Sequence, residues 1–306
     1  MAAVENVTPM KVRVGIGLGT RTRLQGSEYG HVVDTIERLG FDSLWLSERI
    51  SGEAPDPIVA MAYAAGRTTN LKFGMSVLVL PGRNPVVLAK ELATLAVMSG
   101  GRLLPAFGLG VADGIEHQAF GVERTERARW FDEALTVMRK CWFDDVVEHD
   151  GERFHYEGLR VRLQPARLDV WLGGIAPSEL KRVGRMADGW LPSFITPNDA
   201  AAGRVVIEQV AAEHERAIED DHYGVLIPYT LDTVPDVLLA GLARRRPDLE
   251  DPSTLVPVGW DAVIDTVKRF VDVGTTKFVV LPIVEPPGSW DDHLTAAADA
   301  LLPLET

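Results

Sequence analysis

Three short stretches carry groups fit for chemistry. "LWLSERI" ends an apolar run on Ser47, Glu48 and Arg49, setting a carboxyl able to handle a proton beside a permanent positive charge. A salt bridge that only fixes a rim is the other reading of Glu48 and Arg49. "LLPAFGLGVADG" places Gly108 and Gly110 after an apolar run, but Asp113 stands where a dinucleotide-binding turn needs a third small residue. Asp113 suits a helix N-cap, and its charge beside a pyrophosphate is unfavourable. "WLGGIAPSE" is the better phosphate candidate. Gly173 and Gly174 leave backbone N–H groups open, Ile175 and Ala176 follow, and Pro177 opens a helix directed at the same space. A tight strand-to-helix turn without a ligand is the plain alternative.

Other chemistries find little support. His31, His149, His155, His214 and His222 show no metal-ligand spacing, so no metal site is expected. His117, four residues after Asp113, is a weaker candidate for the mouth and fits a solvated helix face better. No Gly-x-Ser-x-Gly elbow occurs, and the single cysteine, Cys141 in "EALTVMRKCW", reads as core packing and fits a reducing compartment.

Residues so far apart need a scaffold that gathers them. A short apolar run, a loop, an amphipathic helix and a glycine recur along the chain, from "KVRVGIGLG" and "FDSLWLS" through "NLKFGMSVLVLP" and "GRLLPAFG". "LDVWLGG", "DGWLPS", "YGVLIPYT" and "KFVVLPI" complete eight runs. Tyr29, Val32, Val33, Ile36 and Leu39 share a helix face closed by Gly40, and Asp56-Pro57 and Asn84-Pro85 each predict an N-cap followed by proline at N1. Eight strands alternating with helices predict an α/β fold, a (β/α)₈ barrel spanning residues 1–306 as one domain. A doubly wound sheet is the alternative. Insertions are expected after strand four, where Asp150-Gly151 suggests a type I′ hairpin, and after strand seven, where residues 231–256 form a candidate lid. In such a barrel the strands' C-terminal ends carry the site, so all three stretches converge there.

The bulk composition narrows the partners. With 46% hydrophobic residues in a 306-residue chain a large core is available, while a net charge of −13 removes the footprint of nucleic-acid binding. No run is long enough to cross a membrane, and the first residues lack the pattern of a signal peptide, so a cytoplasmic protein is expected.

Several blocks, in order, resemble the bacterial luciferase-like monooxygenase superfamily: "GFDSLWLSERI", "SVLVLPGRNPVVLAKELATLAVMSGGRLLPAFGLG", "ERTERARWFDEAL", "GERFHYEGL", "VWLGG" and "ADGWLP". More narrowly they look like its actinobacterial branch, which uses the deazaflavin coenzyme F420. The resemblance implies a barrel that binds F420, or alternatively FMN, at its C-terminal mouth. It implies a cis peptide at Ser76-Val77 behind the ring, with Ser47 nearby. It also implies that Gly108 to Asp113 border the ring and its side chain, and that Gly173, Gly174, Ile175 and Ala176 bind phosphate.

Two departures qualify it. Several deazaflavin enzymes carry Asp-His after strand two, where this chain has Glu48-Arg49. Many FMN-dependent relatives continue Gly-x-Gly-x-Gly-Trp after strand four, where this chain has Val111-Ala112-Asp113 beyond Gly110. The expected activity is hydride transfer between F420 and a small organic substrate, with Glu48 and Arg49 as catalytic candidates. An FMN-dependent monooxygenase and a non-catalytic flavin-binding barrel are the alternatives, and a homodimer is the candidate assembly.

Overall fold

A computed structural model describes residues 11–24, 26–111 and 114–306. All eight expected strands are present: β1 (Arg13–Leu18), β2 (Ser43–Leu46), β3 (Lys72–Met75, resuming at Leu78–Val79), β4 (Leu103–Leu104 and Ala106–Gly108), β5 (Trp171–Leu172), β6 (Gly189–Trp190), β7 (Gly224–Tyr229) and β8 (Lys277–Pro282). Every pairing between them is parallel. One sheet runs β7-β8-β1-β2-β3-β4, and a second runs β6-β5-β4-β3 through the upper halves of β3 and β4. Parallel bridges from Trp190 to Tyr223 and from Ser193 to Leu226 join β6 to β7 and close the ring. β3 is interrupted around Ser76 and Val77, and β4 at Pro105. The Ser76–Val77 peptide is cis, and Pro105 brings no N–H to the ladder.

The helices begin and end where local chemistry requires. Asp56 caps α2 (Pro57–Ala65) by accepting from Val59 N at 3.0 Å, and Asn84 caps α3 (Pro85–Met98) by accepting from Val86 N and Val87 N. Gly40, at φ 90°, ends the first helix, Ser27–Leu39, in the left-handed conformation.

Two indoles fill the lumen of the barrel. Trp45 and Trp171 meet edge to face at 6.5 Å between centroids, packed with Ala106, Leu191, Leu226 and Val279. They fit because neighbouring strands carry glycine there: a Cβ on Gly74 would stand 2.3 Å from Trp45, and one on Gly189 would stand 2.5 Å from Trp171.

Both insertions are present, with one correction. The hairpin Val147–Asp150 with His155–Leu159 pairs Asp150 with His155, so residues 151–154 form its loop and Asp150-Gly151 is no two-residue type I′ turn. Gly151 is not in a positive-φ conformation. Its N–H instead donates to Phe154 O at 3.0 Å across the loop. The segment after β7 folds as a helix, Asp236–Arg245, and a short turn, Pro252–Leu255, whose Leu242, Leu255 and Val256 pack beside Phe194 and Ile283.

Candidate active site

The C-terminal ends of the strands open onto a cavity of about 610 Å³, a size suited to a small-molecule site. Its floor is the top of the lumen packing, Val77, Leu191 and Leu226. Ser47, Glu48, Ser76, Val77, Gly108, Gly110, Gly173, Gly174, Ile175 and Ala176 all line it. Arg49 does not, and faces a neighbouring cleft. Asp113 lies outside the described residues, as does the His117 side chain.

Glu48 and Arg49 part company because successive residues of an extended segment point to opposite sides. The Glu48 side chain is only 2% exposed; it accepts from Val79 N at 2.7 Å and pairs with the Arg83 guanidinium. Arg83 is itself fixed by donating from Nε to Val79 O at 2.9 Å. Burial pushes the Glu48 carboxyl above its ordinary value, while Arg83 and the Val79 N–H pull it down. Arg49 turns away, donating to Ser51 Oγ at 3.2 Å and standing 3.8 Å from Glu116. Glu116 is in turn anchored by Ile50 N and Ser51 N.

Around this carboxyl the backbone comes close. Ser47 Oγ lies 3.2 Å from Ser76 Oγ, and a Cβ on Gly108 would stand 2.4 Å from Val77, so glycine there lets Val77 form a wall. Beside Gly110 Arg127, 3% exposed, donates from Nη1 to Leu109 O at 2.9 Å, while its buried Nη2 has no partner among the described residues.

The loop after β5 already holds an anion of its own. Glu179 Oε2 accepts from Ile175 N and Ala176 N, each at 3.0 Å, as the returning half of a capping box at the start of the helix Pro177–Met186. The backbone donors expected to serve a phosphate therefore have the geometry to bind negative charge.

Sequence reasoning missed the arginines. Arg182, Arg245 and Arg246 join Arg127 on the lining, four cations against Glu48, Glu116 and Glu179. Arg245 lies over the Phe194 ring at 4.8 Å, and Arg246 donates to Phe194 O at 2.9 Å and pairs with Asp199 and Asp248. Arg182 is held by Asp132 as Arg246 is by Asp199 and Asp248, so guanidinium groups stand in fixed positions on the rim. For Arg245 and Arg246 the only signal was the run of arginines in the insertion, which does not say where it folds, and for Arg127 and Arg182 there was none. Glu219, Asp221 and His222 come within metal-ligand reach of one another ahead of β7, at the opposite face from the cavity.

The model of the luciferase-like monooxygenase family matches residues 10–247. The chain belongs to this family. Among curated relatives, an F420-dependent glucose-6-phosphate dehydrogenase of Kineococcus radiotolerans is 29% identical over 166 residues, 51% of this chain and 49% of that protein. The chain thus spans about half the length of that relative. An F420-dependent secondary alcohol dehydrogenase, solved with an F420–acetone adduct, superposes with TM-score 0.79 at 19% identity over 97% of this chain and all of that one. The FMN-bound oxygenating constituent of 3,6-diketocamphane monooxygenase from Pseudomonas putida superposes with TM-score 0.74 at 16% identity, over 97% of this chain and 99% of that one. These two structures share the luciferase-like barrel fold with this chain.

Proposed function

We propose that the protein is an oxidoreductase that transfers a hydride between coenzyme F420 and a small organic substrate. The observation that carries this reading is the cavity: an apolar floor and a Val77 wall for a planar ring, beside an arginine-rich rim for an anionic tail. The donor set fits such a cofactor. Arg127 Nη2 has no partner among the described residues, and the Ile175 and Ala176 N–H groups already hold a carboxylate that a phosphate would replace. Ser76 and Val77 would back the ring, Gly108 and Gly110 would border it, and residues 173–176 with Arg245 would take the anionic end.

When bound, the deazaflavin supplies a carbon centre that gives or accepts a hydride, and the protein orients the two partners. Glu48 would give or take the substrate's proton. Its burial favours the neutral acid, and Val79 N–H and Arg83 fix the carboxyl in place. FMN remains the alternative cofactor, supported by the FMN-bound neighbour of the same fold. A second cleft of about 320 Å³ adjoins the cavity and leaves room for a substrate, which favours an enzyme over a barrel that only stores cofactor.

Separate titrations with F420 and FMN test the reading. Tighter binding of F420, with substrate-dependent change of its absorbance in single turnover, is the expected result. Oxygen consumption with reduced FMN, and no turnover with reduced F420, would overturn it in favour of a monooxygenase.

A further inference from the structure

Phe194 follows the bridge between Ser193 and Leu226 and lines three spaces at once: the larger cavity, the second cleft of about 320 Å³, and a pocket of about 60 Å³ beside the Pro252–Leu255 turn. A side chain common to all three stands between them. Its backbone has φ 57°, a left-handed conformation that a bulky residue adopts only at a cost. The insertion holds it there. Arg246, 3% exposed and anchored by Asp199 and Asp248, donates from Nη1 to Phe194 O at 2.9 Å. Arg245 lies over the ring at 4.8 Å, and the side chain packs on Leu242, Leu255 and Val256. A strained conformation persists only where surrounding contacts over-determine it, and here those contacts fix the direction of the ring.

We infer that Phe194 determines substrate specificity, its ring limiting the girth of a molecule that lies in the second cleft and reaches into the larger cavity. The two spaces share Thr20 and Phe194, so a substrate spanning them passes between these residues. Thr20 is the smaller of the two, and its carbonyl oxygen already accepts from Glu53 N at 2.9 Å. The phenyl ring is therefore the main obstacle. It cannot swing aside without leaving Arg245 and the apolar cluster behind it, and a well-packed wall resists added width in the same way that a core resists added methylenes. Leu281 and Ile283 continue the cleft beyond this point, so length is accommodated where width is not. This selection acts on shape and is independent of the ligand's charge. The inference rests on the cofactor standing in the larger cavity.

Binding of two neutral ketones that differ in girth, cyclohexanone and 2-adamantanone, tests the inference without turnover. Each is titrated calorimetrically into the full chain loaded with F420. Phe194→Gly removes the ring and suits φ 57°, so the backbone keeps its course. It should raise the affinity for 2-adamantanone, relative to that for cyclohexanone, by at least about tenfold. Phe194→Leu should move this ratio in the same direction by less, and Phe194→Tyr should keep the ratio of the parent. A ring that only supports the fold would instead change both affinities alike. Parallel changes for the two ketones, or no saturable binding of either by parent and variant, would overturn the inference. Two further results bear on the cofactor reading alone. If F420 does not bind, that reading fails, and the same comparison in the unloaded chain decides the role of Phe194. Absence of hydride transfer with the shifted ratio intact counts against hydride transfer only.

Discussion

At the scale of single residues, Glu48 carries the sharpest consequence. It is buried, paired with Arg83 and bonded to Val79 N, in a cavity wall rather than at a rim. As the proposed proton handler, Glu48→Gln should lower single-turnover hydride transfer by roughly 10²–10⁴ while F420 still binds. It should also cost about 1–3 kcal/mol of stability, because Arg83 loses its charged partner in a half-buried setting. A normal rate accompanied by lowered melting would assign the pair to structure alone.

At the scale of elements, the loop between β5 and its helix holds a competition. Glu179 caps the helix by occupying Ile175 N and Ala176 N, the donors a cofactor phosphate would use. Gly174, at φ 92°, permits this, since a Cβ there would stand 2.4 Å from Glu179 Oε2. Arg245, reaching in from the insertion, interacts with the same carboxylate. If phosphate binds at this loop, Glu179→Gln removes a like charge from its path and should tighten F420 binding about three- to tenfold, measured by fluorescence titration. The variant also weakens a helix cap, by about 0.5–2 kcal/mol in thermal melting. Unchanged or weaker binding in the folded variant would move the phosphate away from these donors.

At the scale of the whole molecule, two buried groups add distinct windows to its response to acid. His293 lies among Tyr229, Trp260 and Trp290, its Nε2 2.6 Å from Tyr229 Oη, and burial pushes it down to about 4. The unfolded chain therefore takes up this proton first. Stability is whole above 6.5 and falls by up to about 3 kcal/mol as pH drops towards 4. At the opposite face of the barrel burial pushes the Asp42 carboxyl up, but Lys277 and Lys72 together hold it down at about 2. Its contribution of about 2 kcal/mol is present above 3.8 and lost as pH falls through 2. Denaturant unfolding from pH 7 to pH 2 should show both windows, and His293→Gln should remove only the first. A single loss below pH 4 in the parent would contradict the assignment of His293.

The sequence by itself determined the barrel, its eight strands and the mouth as the place of chemistry. These rest on local rules: apolar runs, an Asp or Asn before proline, and a glycine that closes a helix. It also brought Ser47, Glu48, Ser76 and the two glycine loops onto the short list, because a parallel barrel sends every strand's C-terminal end to one face. Only the tertiary structure decided what each group meets there. Arg83 reaches Glu48 across a turn from the neighbouring strand, Glu179 returns onto its own loop, and residues 231–256 fold inward to bring Arg245 and Arg246 to the rim. Such contacts depend on side-chain direction and on how an insertion packs, and neither is fixed by periodicity or spacing. The parting of Glu48 from Arg49 has the same cause: adjacency along an extended chain separates two side chains, and the fold then supplies each with a different partner.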